Sequence, residues 1–363
     1  MTQPKSSSSE FATIDSAIHS AIQDVAVGPD RGRNISMDHA ALVMQGILDD
    51  AVDPVQAAVL LIALRMKRES EQEMRGLTKA AQLRVKTQTV NTSHLITLVD
   101  PFDGYSRTLS VSAFIPALLA ACGYPSVIHG VESVGPKFGV TVRQVLSSNP
   151  KFEVDFEEAA KQIESHGWAY LDQSDYLPEL HNLIPLRNRI IKRTALTTFE
   201  RVLAPIVTTG SNHLALGYVH KAYPEIYAGI AQQAGFDFIH LHKGVEGGLM
   251  IAAHKPFARY SADLRNKDVR LIKQQHGVDE HASPLRKLDS TLSVGEQARL
   301  CYQQGVDTLG GLEGPGRDAL LASCANILSS VVSGLDYAQA VEKARLEIDN
   351  GSALEYFNAA LKP

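Results

Sequence analysis

Apolar residues recur at helical spacing along the first quarter of the chain. Phe11, Ile14, Ile18 and Ile22 fall three or four positions apart, which places them on one helix face. Gly28, Pro29 and Gly32 break that run. Ser36 precedes a second run with Leu42, Val43, Met44, Ile47 and Leu48. Asp53 and Pro54 supply an N-cap and a first-turn proline for a third helix, whose apolar positions are Val55, Val59, Leu60, Ile62 and Leu64. Ser70 and Glu73 form a capping-box pair ahead of a fourth. The pattern predicts a small helical bundle ending near Arg84.

The texture changes at Leu95. Short β-branched-rich runs predict strands at 95–99, 125–130, 168–171, 205–210, 236–242 and 249–253. Helical runs at 111–121 and 214–234 lie among them, and the chain is helical again from Gly314 to Leu361, with a break at Gly334. Alternating strands and helices predict an α/β class: a small all-helical domain, then a larger α/β domain with a central, mostly parallel sheet flanked by helices. Such folds place their sites at the carboxyl ends of strands. That singles out three loops, Asp100–Ser112, His129–Gly139 and His242–Gly248.

Composition narrows the partners. The 363 residues carry 35 Lys and Arg against 40 Asp and Glu, a net charge of −5. A uniformly basic polyanion binder is excluded, so any such site is a local patch. Cys122, Cys301 and Cys324 are too widely spaced for a zinc ribbon or a disulfide framework, and buried thiols in a reduced cytoplasmic compartment are expected. No apolar run reaches the ~18–20 residues of a membrane helix, so no membrane partner is expected. The start, MTQPKSSSSE, lacks a secretory pattern and reads as a frayed tail over 1–10.

From about Asn34 to the C terminus the chain resembles the anthranilate phosphoribosyltransferase family, within the group that includes class II nucleoside phosphorylases. The resemblance rests on ILDDAVDPVQAAVLLIALRMKRESEQEMRGL, on GPGRDALL with its following helix, and on AVEKARLEIDNGSALEYF. It implies a helical domain over 11–90 joined by helices from 175–204, and an α/β domain made of 91–174 and 205–363.

The motifs depart from that family's pattern. Where its enzymes carry a Gly-Thr-Gly-Gly-Asp-Gly pyrophosphate loop, this chain has Val99-Asp100-Pro101-Phe102-Asp103-Gly104. Pro101 has no N–H to offer, and Phe102 adds bulk. Asn-Ile-Ser-Thr becomes Leu109-Ser110-Val111-Ser112, and Lys-His-Gly-Asn becomes Ile128-His129-Gly130-Val131. The magnesium-holding Asp-Glu pair is replaced within Lys243-Gly244-Val245-Glu246-Gly247-Gly248, where Glu246 alone is a poor substitute. Each lost donor to developing charge costs ~2–4 kcal/mol of transition-state stabilisation. Asp103, Gly104, Ser110, Ser112, His129, Gly130, Arg187, Lys243, Gly244 and Glu246 mark what remains of the cleft. No catalytic residue and no metal ligand is assigned, and magnesium enters only if the chain is an enzyme.

The resemblance implies that a position matching Arg187 meets the aromatic acid substrate. His129 reads as a structural loop residue, with a general acid as the other reading. The 243–248 run reads as a tight turn or as a backbone cradle for a small phosphate-containing ligand. His240 and His242 share a strand face, but no third His or Cys completes a metal site.

Basic residues cluster at Arg187, Arg189, Lys192, Arg193 and Arg201, against one Glu200, and again at Lys255, Arg259, Arg265, Lys267, Arg270 and Lys273, offset by Asp263 and Asp268. A third run spans Arg65 to Lys86, while 151–179 is acidic. On a helix, Arg189 and Arg193 would share a face. Each run also fits an ordinary solvated helix face. The altered loops further resemble a subgroup of the family that lacks the pyrophosphate motifs and binds nucleic acid as a homodimer. The expectation is a homodimer binding nucleic acid through these patches. The alternatives are a pentosyl transferase with a changed substrate and a regulatory dimer without a ligand.

Overall fold

Side-chain caps start the first four helices. Thr13, Ser36, Asp53 and Ser70 accept backbone N–H groups at the heads of α1 (Ile14–Val25), α2 (Met37–Leu48), α3 (Pro54–Lys67) and α4 (Glu71–Gln82). The computed structural model describes residues 11–28 and 30–361, so the tail expected over 1–10 lies outside the described residues. Glu73 is wholly buried and binds the bundle from inside. Its carboxylate accepts from Ile35 N at 3.0 Å, Ser70 N at 2.7 Å and Lys67 Nζ at 2.9 Å. The apolar face of α2 is covered by α1 and α4.

The chain then runs through β1 (Gln88–Val90), β2 (His94–Val99), α5 (Ile115–Ala121), β3 (Ser126–Gly130), α6 (Val142–Leu146), α7 (Ala159–His166) and β4 (Trp168–Asp172). Four short helices follow, α8 (Gln173–Tyr176), α9 (Pro178–His181), α10 (Ile184–Ile190) and α11 (Leu196–Phe199). β5 (Ile206–Thr208), β6 (Ser211–Gly217), α12 (Tyr223–Ala234) and β7 (Phe238–His242) precede the antiparallel strands β8 (Phe257–Asp263) and β9 (Ile272–His276). α13 (Val294–Leu309), α14 (Pro315–Val331), α15 (Tyr337–Asp349) and α16 (Ser352–Ala359) end the chain.

The main sheet has the order β4-β3-β2-β6-β7-β8-β9. Its first five strands are parallel, and β8 and β9 add on antiparallel. β1 and β5 pair separately. Successive connections leave β2 toward opposite edges, so β2 and β6 flank the switch point where α/β sheets open a crevice. One face of the sheet packs on α14, α5 and α16, around Phe114, Trp168 and Phe357. All three cysteines are buried free thiols. No helix among the described residues is long and apolar enough to cross a membrane.

Two expected elements change, and two strands were not expected. Residues 214–217 belong to strand β6, and the following helix begins only at Tyr223. Leu214-Ala215-Leu216 has helical composition, but a strand buried between two neighbours needs only an apolar run. Residues 249–253 form no strand; they are a buried irregular segment. The edge strands β8 and β9 went unread because β9 is largely exposed and polar, with no alternation to reveal it.

Candidate functional site

The loop after β2 lies at the switch point, and its side chains bind back into the protein. Asp100 is buried and accepts from Tyr105 Oη at 2.8 Å, from Leu249 N at 2.7 Å and from the Ser112 hydroxyl. Burial pushes its carboxyl pKa up, against those hydrogen bonds. Phe102 is buried and meets the His129 ring edge-on at 5.7 Å. Asp103 takes Arg193 Nε at 2.9 Å and Nη2 at 2.6 Å. Gly104 sits at φ +73°, and a Cβ there would come within 2.4 Å of Gly139 O. The two loops cross too closely for any side chain. Ser110 and Ser112 are buried and bond each other at 2.8 Å.

The remaining cleft residues, Lys243 apart, are likewise engaged. His129 lies inside β3 rather than in a loop, with Nδ1 2.9 Å from Tyr176 Oη. Burial, aided by Arg201, pushes its pKa down to about 3, so the imidazole is neutral. Gly130 ends the same strand, buried. Arg187 does not face an open cleft. Its guanidinium makes paired contacts to Glu200 at 2.6 and 2.8 Å, with both side chains buried. Arg201 is also buried. Its Nη2 lies 3.1 Å from the carbonyls of Val99, Gly217 and Gly247, tying the ends of β2 and β6 to the loop after β7.

The 243–248 segment is a tight turn. Gly247 N donates to Gly244 O, Gly248 N to Val245 O, and Val245 N to Met250 O, so those amides are not free to cradle phosphate. A Cβ at Gly244 would approach Gly248 O to 1.7 Å. Lys243 points its side chain into solvent. Glu246, at φ +53°, receives backbone N–H groups from Ser106 at 3.1 Å, Arg107 at 3.0 Å and Thr108 at 3.0 Å, and Lys137 Nζ at 3.0 Å. Burial alone would raise its pKa, but Lys137 and the backbone donors outweigh burial and hold it below the usual carboxylate value.

Magnesium does not fit these donors. Gly247 and Gly248 follow Glu246 where adjacent carboxylates are required, and the Glu246 carboxylate is already taken. Among the described residues no group of three His, Cys, Asp or Glu is placed to hold a metal. His240 turns to His213 at 3.1 Å and His242 to Leu249 O at 2.8 Å.

The basic clusters separate into buried and exposed members. Arg201 and Arg259 leave the surface set. Arg259 is buried on Gln274 and Ser329, each at 2.6 Å. Arg193 is exposed but held by Asp103, and Arg265 by Asp263 at 2.6 Å. Arg189 and Arg193 share no helix face, because α10 ends at Ile190 and Ile191 turns left-handed at φ +61°. Much of the third run is paired, in Lys67–Glu73, Arg75–Glu71, Lys79–Asp38 and Arg84–Asp49, while Arg68 and Lys86 are exposed and form no ion pair among the described residues. Arg189, Lys192, Lys255, Lys267, Arg270 and Lys273 remain exposed, and none forms an ion pair among the described residues.

A cavity of about 370 Å³ persists between the helical part and the sheet ends. Arg65, Phe102, Arg193, Tyr218, Tyr223 and Tyr227 line it. Arg65 reaches Thr194 O at 2.8 Å, Thr198 Oγ1 at 3.0 Å and the Tyr223 hydroxyl. The three tyrosines fall within residues 218–227, at the end of β6 and on α12, and no motif marks them in the sequence.

Two family domains match the chain. The glycosyl transferase family helical bundle domain matches residues 21–83, and the glycosyl transferase family a/b domain matches residues 103–354. Anthranilate phosphoribosyltransferase of Desulforamulus reducens is 26% identical over 348 residues, covering 94% of this chain and 95% of its own. An uncharacterized protein of Aquifex aeolicus is 26% identical over 246 residues, 67% of this chain and 72% of its own. Among solved structures, anthranilate phosphoribosyltransferase of Saccharomyces cerevisiae, in complex with PRPP and Mg, superposes with a TM-score of 0.73 at 15% identity, covering 95% of this chain and 96% of that one.

Proposed function

This chain belongs to the glycosyl transferase family that includes anthranilate phosphoribosyltransferase, and we propose that within it the chain binds nucleic acid and does not transfer phosphoribosyl groups. One observation carries the reading: the charges around the old cleft, Lys243 apart, are paired within the protein, whereas Lys267, Arg270 and Lys273 stand exposed and without ion pairs among the described residues. They occupy β9 and the turn before it, in a chain of net charge −5. Concentrating unpaired cations on one edge of an acidic protein favours a polyanion there. Phosphate contacts of that kind are sequence-tolerant and weaken steeply with salt.

The partner arrangement is a twofold homodimer through α3. Val55 and Met66 of that helix are 68% and 69% exposed, and Val59 is also exposed. An isologous contact covers such a face and presents the basic edge twice. The α2 face contributes nothing to that contact, since it is already covered.

A second reading, a pentosyl transferase with a changed substrate, is favoured by the 370 Å³ cavity with Arg65 and its aromatic walls. One experiment separates the two. The full chain is titrated with single- and double-stranded DNA and RNA across a salt series, then incubated with phosphoribosyl pyrophosphate, anthranilate and magnesium. Salt-sensitive binding without turnover is expected. Product formed at about 1 s⁻¹ or faster, an ordinary enzymic rate, would overturn the proposal, as would the absence of nucleic-acid binding at low salt.

A further inference from the structure

The 244–248 turn has a second side. Glu246 and Gly247 border the interdomain cavity, but Val245 borders a separate pocket of about 610 Å³. Its walls come from the loop after β2, from residues 252–255, and from the 284–290 segment. Those parts are fixed to one another by the backbone. Leu109 N donates to Arg286 O at 2.9 Å, and Leu288 N donates to Arg107 O at 3.0 Å. The pocket therefore has a hydrogen-bonded frame on the side of residues 107–109 and 286–288.

Its charge is one-sided. Arg107, His254, Lys255 and Lys287 line it, and no carboxylate does. The acid nearest to Arg107 is Glu246, 3.8 Å away, whose carboxylate is already held by Lys137 and three backbone amides. Lys255 and Lys287 are exposed and form no ion pair among the described residues. Arg84 and Arg265, by contrast, each have a carboxylate partner, Asp49 and Asp263. Arg107 shares the Glu246 carboxylate with Lys137, and Lys255 and Lys287 have none, so positive charge is in surplus around the void and favours an anion.

His254 adds a half-buried imidazole to the wall. Its Nδ1 atom is enclosed by protein and has no hydrogen-bond partner, so the ring meets an entering anion through its charge and not through that atom. Burial, with Lys255 adding to it, lowers the His254 pKa, so the ring is neutral when the pocket is empty. Ser106, Thr108 and Ser290 add hydroxyls to the lining.

We infer that this pocket binds a dianionic phosphate monoester, with Arg107, Lys255 and Lys287 supplying charge and the His254 ring lying at its wall. A monoester carries about −1.5 to −2 at neutral pH and presents three acceptor oxygens. That matches three cations better than the single charge of a phosphodiester or a carboxylate. The volume falls within the range of small-molecule sites, about 300–1,000 Å³. The inference does not rest on the nucleic-acid reading, because β9 and its preceding turn contribute nothing to this pocket. The monoester has two available sources, a small phosphorylated molecule or the 5′-phosphate end of a strand.

The test uses the full chain at constant ionic strength. Inorganic phosphate is titrated while the His254 ring resonance is followed by NMR, assigned with His254→Gln. Saturable binding and an upward shift of the His254 pKa are expected. Arg107→Ala/Lys287→Ala removes only exposed side-chain atoms and should weaken phosphate binding at least about tenfold, the scale of lost charge-assisted hydrogen bonds. Lys267→Ala/Arg270→Ala/Lys273→Ala should leave it unchanged. Two strands of one sequence, with 5′-phosphate and with 5′-hydroxyl, then separate the sources. A preference for the phosphorylated strand assigns the pocket to strand ends, and equal binding of both assigns it to a small molecule. No saturable phosphate binding, or equal binding by the folded double variant, overturns the inference.

Discussion

The ends of β2 and β6 and the outer edge at β9 handle charge in opposite ways. At the strand ends Asp103 holds Arg193, Glu200 holds Arg187, Glu246 holds Lys137, and Arg201 is spread over backbone carbonyls. At the outer edge, Lys267, Arg270 and Lys273 face solvent without an ion pair among the described residues. Burial makes the difference. A charge removed from water needs a partner within the protein, while an exposed one is solvated and free to meet an external anion. Under the proposed function, the cleft serves as scaffold and the recognition surface lies where charge is left over.

That comparison breaks most readily at the buried pair. Glu200→Ala leaves the Arg187 guanidinium buried and unpaired, and should cost about 3–5 kcal/mol of stability. Urea denaturation measures it. The double variant Arg187→Met/Glu200→Leu should recover most of the loss. An unchanged midpoint in Glu200→Ala would mean that the pair is open to solvent and the cleft is not closed by its own charges.

Acid sharpens it further. Burial holds His129 at about 3, and His213 and His242 at about 4, against 6.5 in the unfolded chain. Below pH 6.5 the unfolded state therefore binds more protons, and stability falls as pH drops toward those folded values. Each tenfold difference in proton affinity between the two states is worth about 1.4 kcal/mol, so the decline between pH 7 and pH 4 should be on the order of several kcal/mol. His129→Gln should flatten it. A urea midpoint constant over that window would contradict buried neutral imidazoles.

Gly104→Ala is a smaller perturbation of the same region. With φ at +73° and Gly139 O 2.4 Å from the new Cβ, it should cost about 1–3 kcal/mol, read as a lowered melting temperature with nucleic-acid binding retained. The smallest effect on stability belongs to the outer edge. Lys267→Ala/Arg270→Ala/Lys273→Ala should change stability by less than about 0.5 kcal/mol per site. It should also flatten the salt slope on duplex DNA by up to about 0.9 per lost phosphate contact. An unchanged slope would return these residues to the solvated-surface reading.

Helix periodicity and capping were legible in the chain itself. Ser36, Asp53 and Ser70 cap their helices through side chains next door in sequence, and local hydrogen bonds need no tertiary information. The departures of Pro101, Phe102 and Gly247-Gly248 from the family's motifs were legible too, because they are changes of residue type. Which charges are spent was not. Arg187, Arg193 and Arg201 look alike in sequence, yet one is buried on Glu200, one is exposed on Asp103, and one binds carbonyls from three segments. Strand β6 hid for the same reason, since only its place between β2 and β7 turns Leu214-Ala215-Leu216 from helix to sheet. Local bonding and residue chemistry are written along the chain. Burial and pairing depend on what distant segments bring, and only the tertiary structure decides them.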